Sequence, residues 1–212
     1  MAEDEPHTGP AAVQERARRR RLLLLATLVV AAAAAFVVGV LIGLRDGVRH
    51  GGPLTCGRCD YIVEGMPLDV HRSGTEGSVV LENRGDRDAV LDAVTYERLT
   101  PGLRMLGPLA LRVGDHRGPG PALTGLARSY PPRRARAIAR PLGGFVVRPY
   151  RRFEEGVELL NGFRPLRPGV FGYRALFVHY HVHGQRYVAR YPFKLVICAP
   201  ESKYNGSCEL RR

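Results

Sequence analysis

A chain of 212 residues has room for one domain with a sizeable core plus appendages. Its 32 basic residues outweigh 20 acidic ones, for a formal charge of +12. Lysine occurs only at Lys194 and Lys203, and the wealth of Arg, Ala, Gly and Pro indicates a G+C-rich genome. Part of the arginine excess is therefore coding bias, and the arginine count by itself is no nucleic-acid signature.

In chain order, residues 1–21 are polar and short, and predict a disordered cytoplasmic tail. Leu22 to Leu44 is apolar apart from Thr27, Gly39 and Gly43. At about 1.5 Å per residue, 23 residues span about 34 Å, enough for a hydrocarbon core of about 30 Å. No polar stripe suits this segment to a soluble surface. A cleaved signal peptide has a shorter apolar region, and "FVVGVLIGL" continues past the small residues that could be cut, so an uncleaved single-pass transmembrane helix is expected over 22–44. Arg16, Arg18, Arg19, Arg20 and Arg21 precede it, against Arg45 and Arg49 close behind, which places the N-terminus in the cytoplasm and the C-terminal domain outside the cell membrane. Residues 45–59 form a stalk, and 60–212 an extracytoplasmic domain.

That domain has the pattern of a β protein. "DYIVEG" and "PLDVHR" are short apolar runs, and "SVVLENRGDRDAVLDAVTYERL" reads as two strands joined by a turn at Asn83–Arg87. "PLALRV" alternates, with Leu109, Leu111 and Val113 on one face, and "GGFVVRP" is a short strand stopped by Pro149. "FEEGVELLNGF" holds one short turn of helix. Seven or eight short strands with turns between them predict a sandwich or barrel.

"FVHYHVHGQRY" places histidines at 179, 181 and 183. A two-residue turn at His183-Gly184 pairs Val182 with Gln185, Tyr180 with Tyr187, Val178 with Ala189 and Leu176 with Tyr191. These pairs make the core face, and His181 opposite Arg186 and His179 opposite Val188 make the other. The arginine opposite His181 and the lack of a carboxylate in the hairpin argue against a metal.

All four cysteines, Cys56, Cys59, Cys198 and Cys208, follow the apolar span. An oxidising compartment favours disulfides, and the spacing suits local staples Cys56–Cys59 and Cys198–Cys208. "CGRC" has thioredoxin-type spacing, but a strand rather than a helix follows it, so a structural bridge is the preferred reading.

Residues 115–142 are rich in Pro and Gly and carry the densest basic cluster of the ectodomain: Arg128, Arg133, Arg134, Arg136 and Arg140. These five are the candidate polyanion contact. "RGD" at 84–86 meets the needs of a turn. No G-x-S-x-G, H-E-x-x-H or P-loop occurs, so no catalytic residue, metal or cofactor is assigned.

"PGVFGYRALFVHYHV" resembles the late strands of immunoglobulin-like and fibronectin-like sandwiches. The resemblance implies an Ig-like β-sandwich over roughly residues 60–199, with Tyr173 hydrogen-bonding back to the corner before it. The chain departs from true immunoglobulin domains in having no Trp and in cysteines at its ends. The whole layout resembles uncharacterised single-pass membrane proteins of G+C-rich actinobacteria, which implies a place in the envelope. The expected role is a noncatalytic module, anchored in the lipid bilayer, that binds an envelope protein or an anionic wall polymer. An envelope enzyme and an extracellular nucleic-acid binder are the alternatives; "ARSYPPRRARAIARP" comes closest to the arginine–aromatic mix the latter needs.

Overall fold

A computed structural model describes residues 47–57, 59, 62–115, 125–152, 155–206 and 208. The predicted tail and transmembrane helix lie outside the described residues. Among the described residues no helix is long and apolar enough to cross a membrane.

The described chain is mostly β. In order its strands are β1 (Arg49–His50), β2 (Leu54–Cys56), β3 (Val63–Pro67), β4 (Gly74–Asn83), β5 (Ala89–Glu97), β6 (Leu103–Met105), β7 (Leu109–Arg112), β8 (Leu126–Ala127), β9 (Arg140–Pro141), β10 (Val146–Val147), β11 (Val157–Pro165), β12 (Gly169–Tyr173), β13 (Ala175–Val182), β14 (Gln185–Tyr191) and β15 (Lys194–Ala199). They form three sheets: β1-β14-β13-β5-β10; β2-β4-β11-β7-β9, with β6 also on β11 and β8 on β4; and β12-β15-β3. Buried side chains from all three, among them Leu81, Phe163, Leu91, Tyr180, Phe171 and Ile197, meet in one core.

The hairpin β13–β14 has the register its apolar pairs predict: Tyr180 opposite Tyr187, Val178 opposite Ala189, Leu176 opposite Tyr191. His183 and Gly184 both take positive φ, 48° and 81°, as a two-residue turn between right-twisted strands requires. Tyr180, Val178 and Leu176 are fully buried.

Elsewhere the structure departs from sequence expectation. The two strands flanking Asn83–Arg87 do not pair: β4 joins the second sheet and β5 the first. Asn83 holds this crossover, donating from Nδ2 to Arg87 O and Val147 O and accepting from Gly85 N. In "FEEGVELLNGF" the helical turn is confined to the start, where Glu155 lies in a 3-10 turn with its N donating to Arg152 O at 3.0 Å; from Val157 on the segment is β11, the most enclosed strand, with residues 157–163 all buried. A strand buried on both faces loses its alternation, which is why its pattern misleads. The expected stalk is drawn into the sheets: β1 pairs with β14, β2 with β4, and Leu54 is buried.

Both local staples are present, Cys56–Cys59 and Cys198–Cys208, each with Cα atoms 5.5 Å apart. Cys59 and Cys198 are buried, and among the described residues the next element after Cys59 is the strand β3, so neither bridge has the exposed, helix-start setting of a redox pair.

Candidate functional site

The arginine-rich segment is a built element. Residues 132–139 wind into a pair of turns, with Arg136 N donating to Pro132 O at 3.0 Å and Ala139 N to Ala135 O at 2.8 Å. Ala135 is fully buried against Leu111 and Leu160, with Leu109, Ile138 and Ala139 packed around them as a second small core. So β7 is covered on both faces: Ala110 joins the main core while Leu111 receives the turn. The segment before the turn is fastened too. Thr75 Oγ1 donates to Ser129 O, Tyr130 donates to Gly107 O, and the Tyr130 ring lies on Gly162.

This frame sorts the five arginines. Arg133, Arg134 and Arg136 are exposed on the turn. Arg140, also exposed, curls onto its own turn and donates to Ala137 O and Ala139 O at 3.1 Å. Arg128 is drawn away from the cluster: its guanidinium is ion-paired with Glu201, 73 positions later in the chain. Three cations, rather than five, are left to meet a partner.

The histidines lie on the outer face of the first sheet, where a β-bulge arranges their neighbours. Between His179 and Tyr180 the register with β5 slips by one residue, so Ala93 faces His179 and Leu91 faces Tyr180. Asp92 and Ala93 are consequently both exposed on one face. Asp92 Oδ1 lies 2.9 Å from His181 Nδ1, and Thr95 Oγ1 lies 2.9 Å from His179 Nε2. Glu97 and Arg190 add an ion pair at 2.7 Å. A groove of about 630 Å³ runs past His179, His181, Asp92 and Arg186. A hydroxyl–imidazole–carboxylate relay needs one imidazole bonded to both partners. Here the hydroxyl and the carboxylate are held by different histidines. Among the described residues no three His, Cys, Asp or Glu side chains converge as a metal site. In the RGD turn, Arg84 is paired with Glu82 and lies over the Tyr150 ring, 4.6 Å from its centroid.

A third cluster escaped the sequence reading. Where the three sheets meet, Glu76 on β4 is fully buried. It accepts from Asn161 Nδ2 at 2.7 Å and from Ser78 N, and Asn161 Oδ1 in turn accepts from the Tyr96 hydroxyl at 3.1 Å. Ser78 Oγ donates to Glu64, whose other carboxylate oxygen is buried without a hydrogen bond. Tyr173, its ring centroid 4.8 Å from that of Tyr96 and tilted 43° to it, likewise has a buried hydroxyl with no partner of good geometry, though Glu76 lies close enough to act on it electrostatically. The corner hydrogen bond implied for Tyr173 is therefore absent; its hydroxyl faces acids instead. Burial pushes the Glu76 carboxyl up to about 8; the bonds from Asn161 and Ser78 oppose this, and repulsion from Glu64 and Glu158 adds to it. Glu76 is thus largely a neutral acid at pH 7, and burial also raises Tyr96 and Tyr173 above the ordinary phenol range. The sequence signals were slight: single glutamates inside the apolar runs "GTEGSVV" and "VELLNGF".

No protein-family model matches the chain. No curated protein matches it either. Among solved structures, the Vibrio cholerae VesB protease is similar at a TM-score of 0.32 and 8% identity, over 69% of this chain and 32% of that one. So slight a likeness bears on neither fold nor activity.

Proposed function

We propose that the chain is a noncatalytic, membrane-anchored module of the cell envelope, whose Ig-like sandwich stands outside the membrane and associates with an anionic wall polymer. The observation that carries this reading is the turn at 132–139. A buried Ala135 fixes its backbone, and Arg133, Arg134 and Arg136 project from it without an acid beside them on the turn. Codon bias accounts for arginine number, but it does not account for a hydrophobic foot under the cluster. The Ig-like assignment is supported by β3, which lies parallel beside the last strand β15, and by a core shared among sheets. An envelope enzyme is the weaker reading, because the groove at His181 divides the parts of a relay between two imidazoles.

The charge prediction is a comparison. After the apolar span the chain holds 27 basic and 16 acidic residues, so some salt-sensitive retention on any polyanion is expected of every variant. Changing Arg133, Arg134 and Arg136 together to Ser should weaken retention on anionic wall polymer about tenfold or more at low salt. Changing Arg186 and Arg190 to Ser should do less, since Arg190 already serves Glu97. Equal retention of the two variants, or binding indifferent to salt, would remove the turn from the proposal.

Topology has its own test. External protease on protoplasts should digest the C-terminal domain and spare roughly the first 20 residues. A mature N-terminus after Ala35, or a domain cut only after lysis, would refute the uncleaved N-in anchor.

A further inference from the structure

We propose that a groove on the outer face of the third sheet is a binding site for a phosphoryl group, a phosphomonoester or phosphodiester, held by Arg98, Arg174 and Lys194. The groove has a volume of about 300 Å³ and is lined by those three cations together with Thr100, Val170 and Val196. No acidic residue lines it. The nearest carboxylate in sequence, Glu97, is occupied by Arg190. Among the described residues, none of the three cationic side chains has a hydrogen-bond or ion-pair partner. The sheet brings them together from separate elements: Arg98 follows β5, Arg174 joins β12 to β13, and Lys194 opens β15. The backbone fastens two of them, with Arg174 N donating to Glu97 O at 2.9 Å and Lys194 N to Ile62 O at 2.8 Å.

Arg98 distinguishes this groove from a chance gathering of arginines. Its φ is 53°, in the left-handed region where a side chain is strained and glycine is not. Glycine codons are as G+C-rich as arginine codons, so coding bias gives arginine no advantage here. The strain is not offset by a side-chain hydrogen bond or ion pair, because the guanidinium makes neither among the described residues. A strained residue whose side chain is unpartnered and faces a basic groove is placed for something outside the chain. Two guanidinium forks and an ammonium suit the tetrahedral oxygens of a phosphoryl group. The aliphatic floor of Val170 and Val196 suits the carbon attached to it. This site is separate from the arginine turn, and each can fail without the other.

The test uses the full chain in a neutral detergent. Inorganic phosphate and then glycerol 3-phosphate are titrated while backbone amide resonances are followed. Saturable shifts are expected at Arg98, Thr100, Gly172 and Arg174. Arg98→Gly is the decisive variant. It should fold at least as stably as the parent, since it relieves the backbone, yet bind phosphate about tenfold more weakly through loss of a charge-assisted contact. Lys194→Gln should weaken binding several-fold, and Arg148→Gln, an exposed arginine outside the groove, should not. Vesicles of phosphatidylglycerol, set against phosphatidylcholine, identify the source. Arg98-dependent recruitment assigns a lipid headgroup, whereas saturation by soluble phosphate without recruitment assigns a free ester. Absence of saturable shifts, or shifts undiminished in Arg98→Gly, overturns the site. So does loss of the fold in Arg98→Gly, because the arginine would then be structural.

Discussion

Replacing Glu76 with Gln should flatten the dependence of stability on pH and make the protein more stable than the parent at pH 9. In the unfolded chain this carboxyl titrates near its ordinary 4.5, and in the folded chain near 8. Between those values folding takes up a proton, so stability falls as pH rises, by about 1.4 kcal/mol per unit from this group alone. The stabilisation is complete below pH 4.5 and is lost as pH rises through 8. Gln keeps the shape and an oxygen to accept from Asn161 or Ser78, and it has no proton to lose. The groups facing Glu76 are named by the fold: Glu64 from β3, Glu158 and Asn161 from β11, Ser78 from its own strand, Tyr96 from β5 and Tyr173 from β12. Denaturant midpoints at pH 5, 7 and 9 for parent and variant decide the matter. Parallel curves would mean that Glu76 is ionised in the folded protein at neutral pH. The effect is large because a charge at the junction of three sheets has no water to turn to.

Phe163→Ala should cost about 3–5 kcal/mol. Phe163 is fully buried in the core, on the strand paired with both β4 and β6. Its ring fills the space that a side chain at residue 74 would need: a Cβ on Gly74 would come within 2.4 Å of it. Removing the ring leaves a cavity that the flanking backbone, held on both sides by ladder hydrogen bonds, cannot close. Leu166→Ala, at an exposed position just past the same strand, should cost less than about 1 kcal/mol. Gly74→Ala should be destabilising alone, and less so beside Phe163→Ala, since the added methyl then enters the vacated space. Urea unfolding with equal slopes reads the parent and all four variants. A Phe163→Ala cost no greater than that of Leu166→Ala would show that this part of the core repacks freely.

Sequence alone determined those features that arise within a few residues. The β13–β14 register was legible because a turn that needs positive φ at His183 and Gly184 sets which residues face one another, and the apolar pairs agree with it. The two disulfides were legible because separations of 3 and 10 suit local closure. β11 was not legible: buried on both faces, it lacks the alternation that marks a half-exposed strand. Nor was the bulge at Asp92 and Ala93, which lets Leu91 and Val94 both face inward although an unbroken strand would turn one of them out. Tertiary structure also decided which arginines are free. Arg128 meets Glu201 only because the turn after β15 lies beside it, and Ala135 anchors the turn only because Leu111 and Leu160 converge from two strands. Glu76 and Asn161 lie 85 positions apart in sequence, and Asn161 and Tyr96 lie 65 apart. Whether a glutamate in an apolar run faces water or a buried amide depends on which strands become neighbours, and the topology of the sheets settles that.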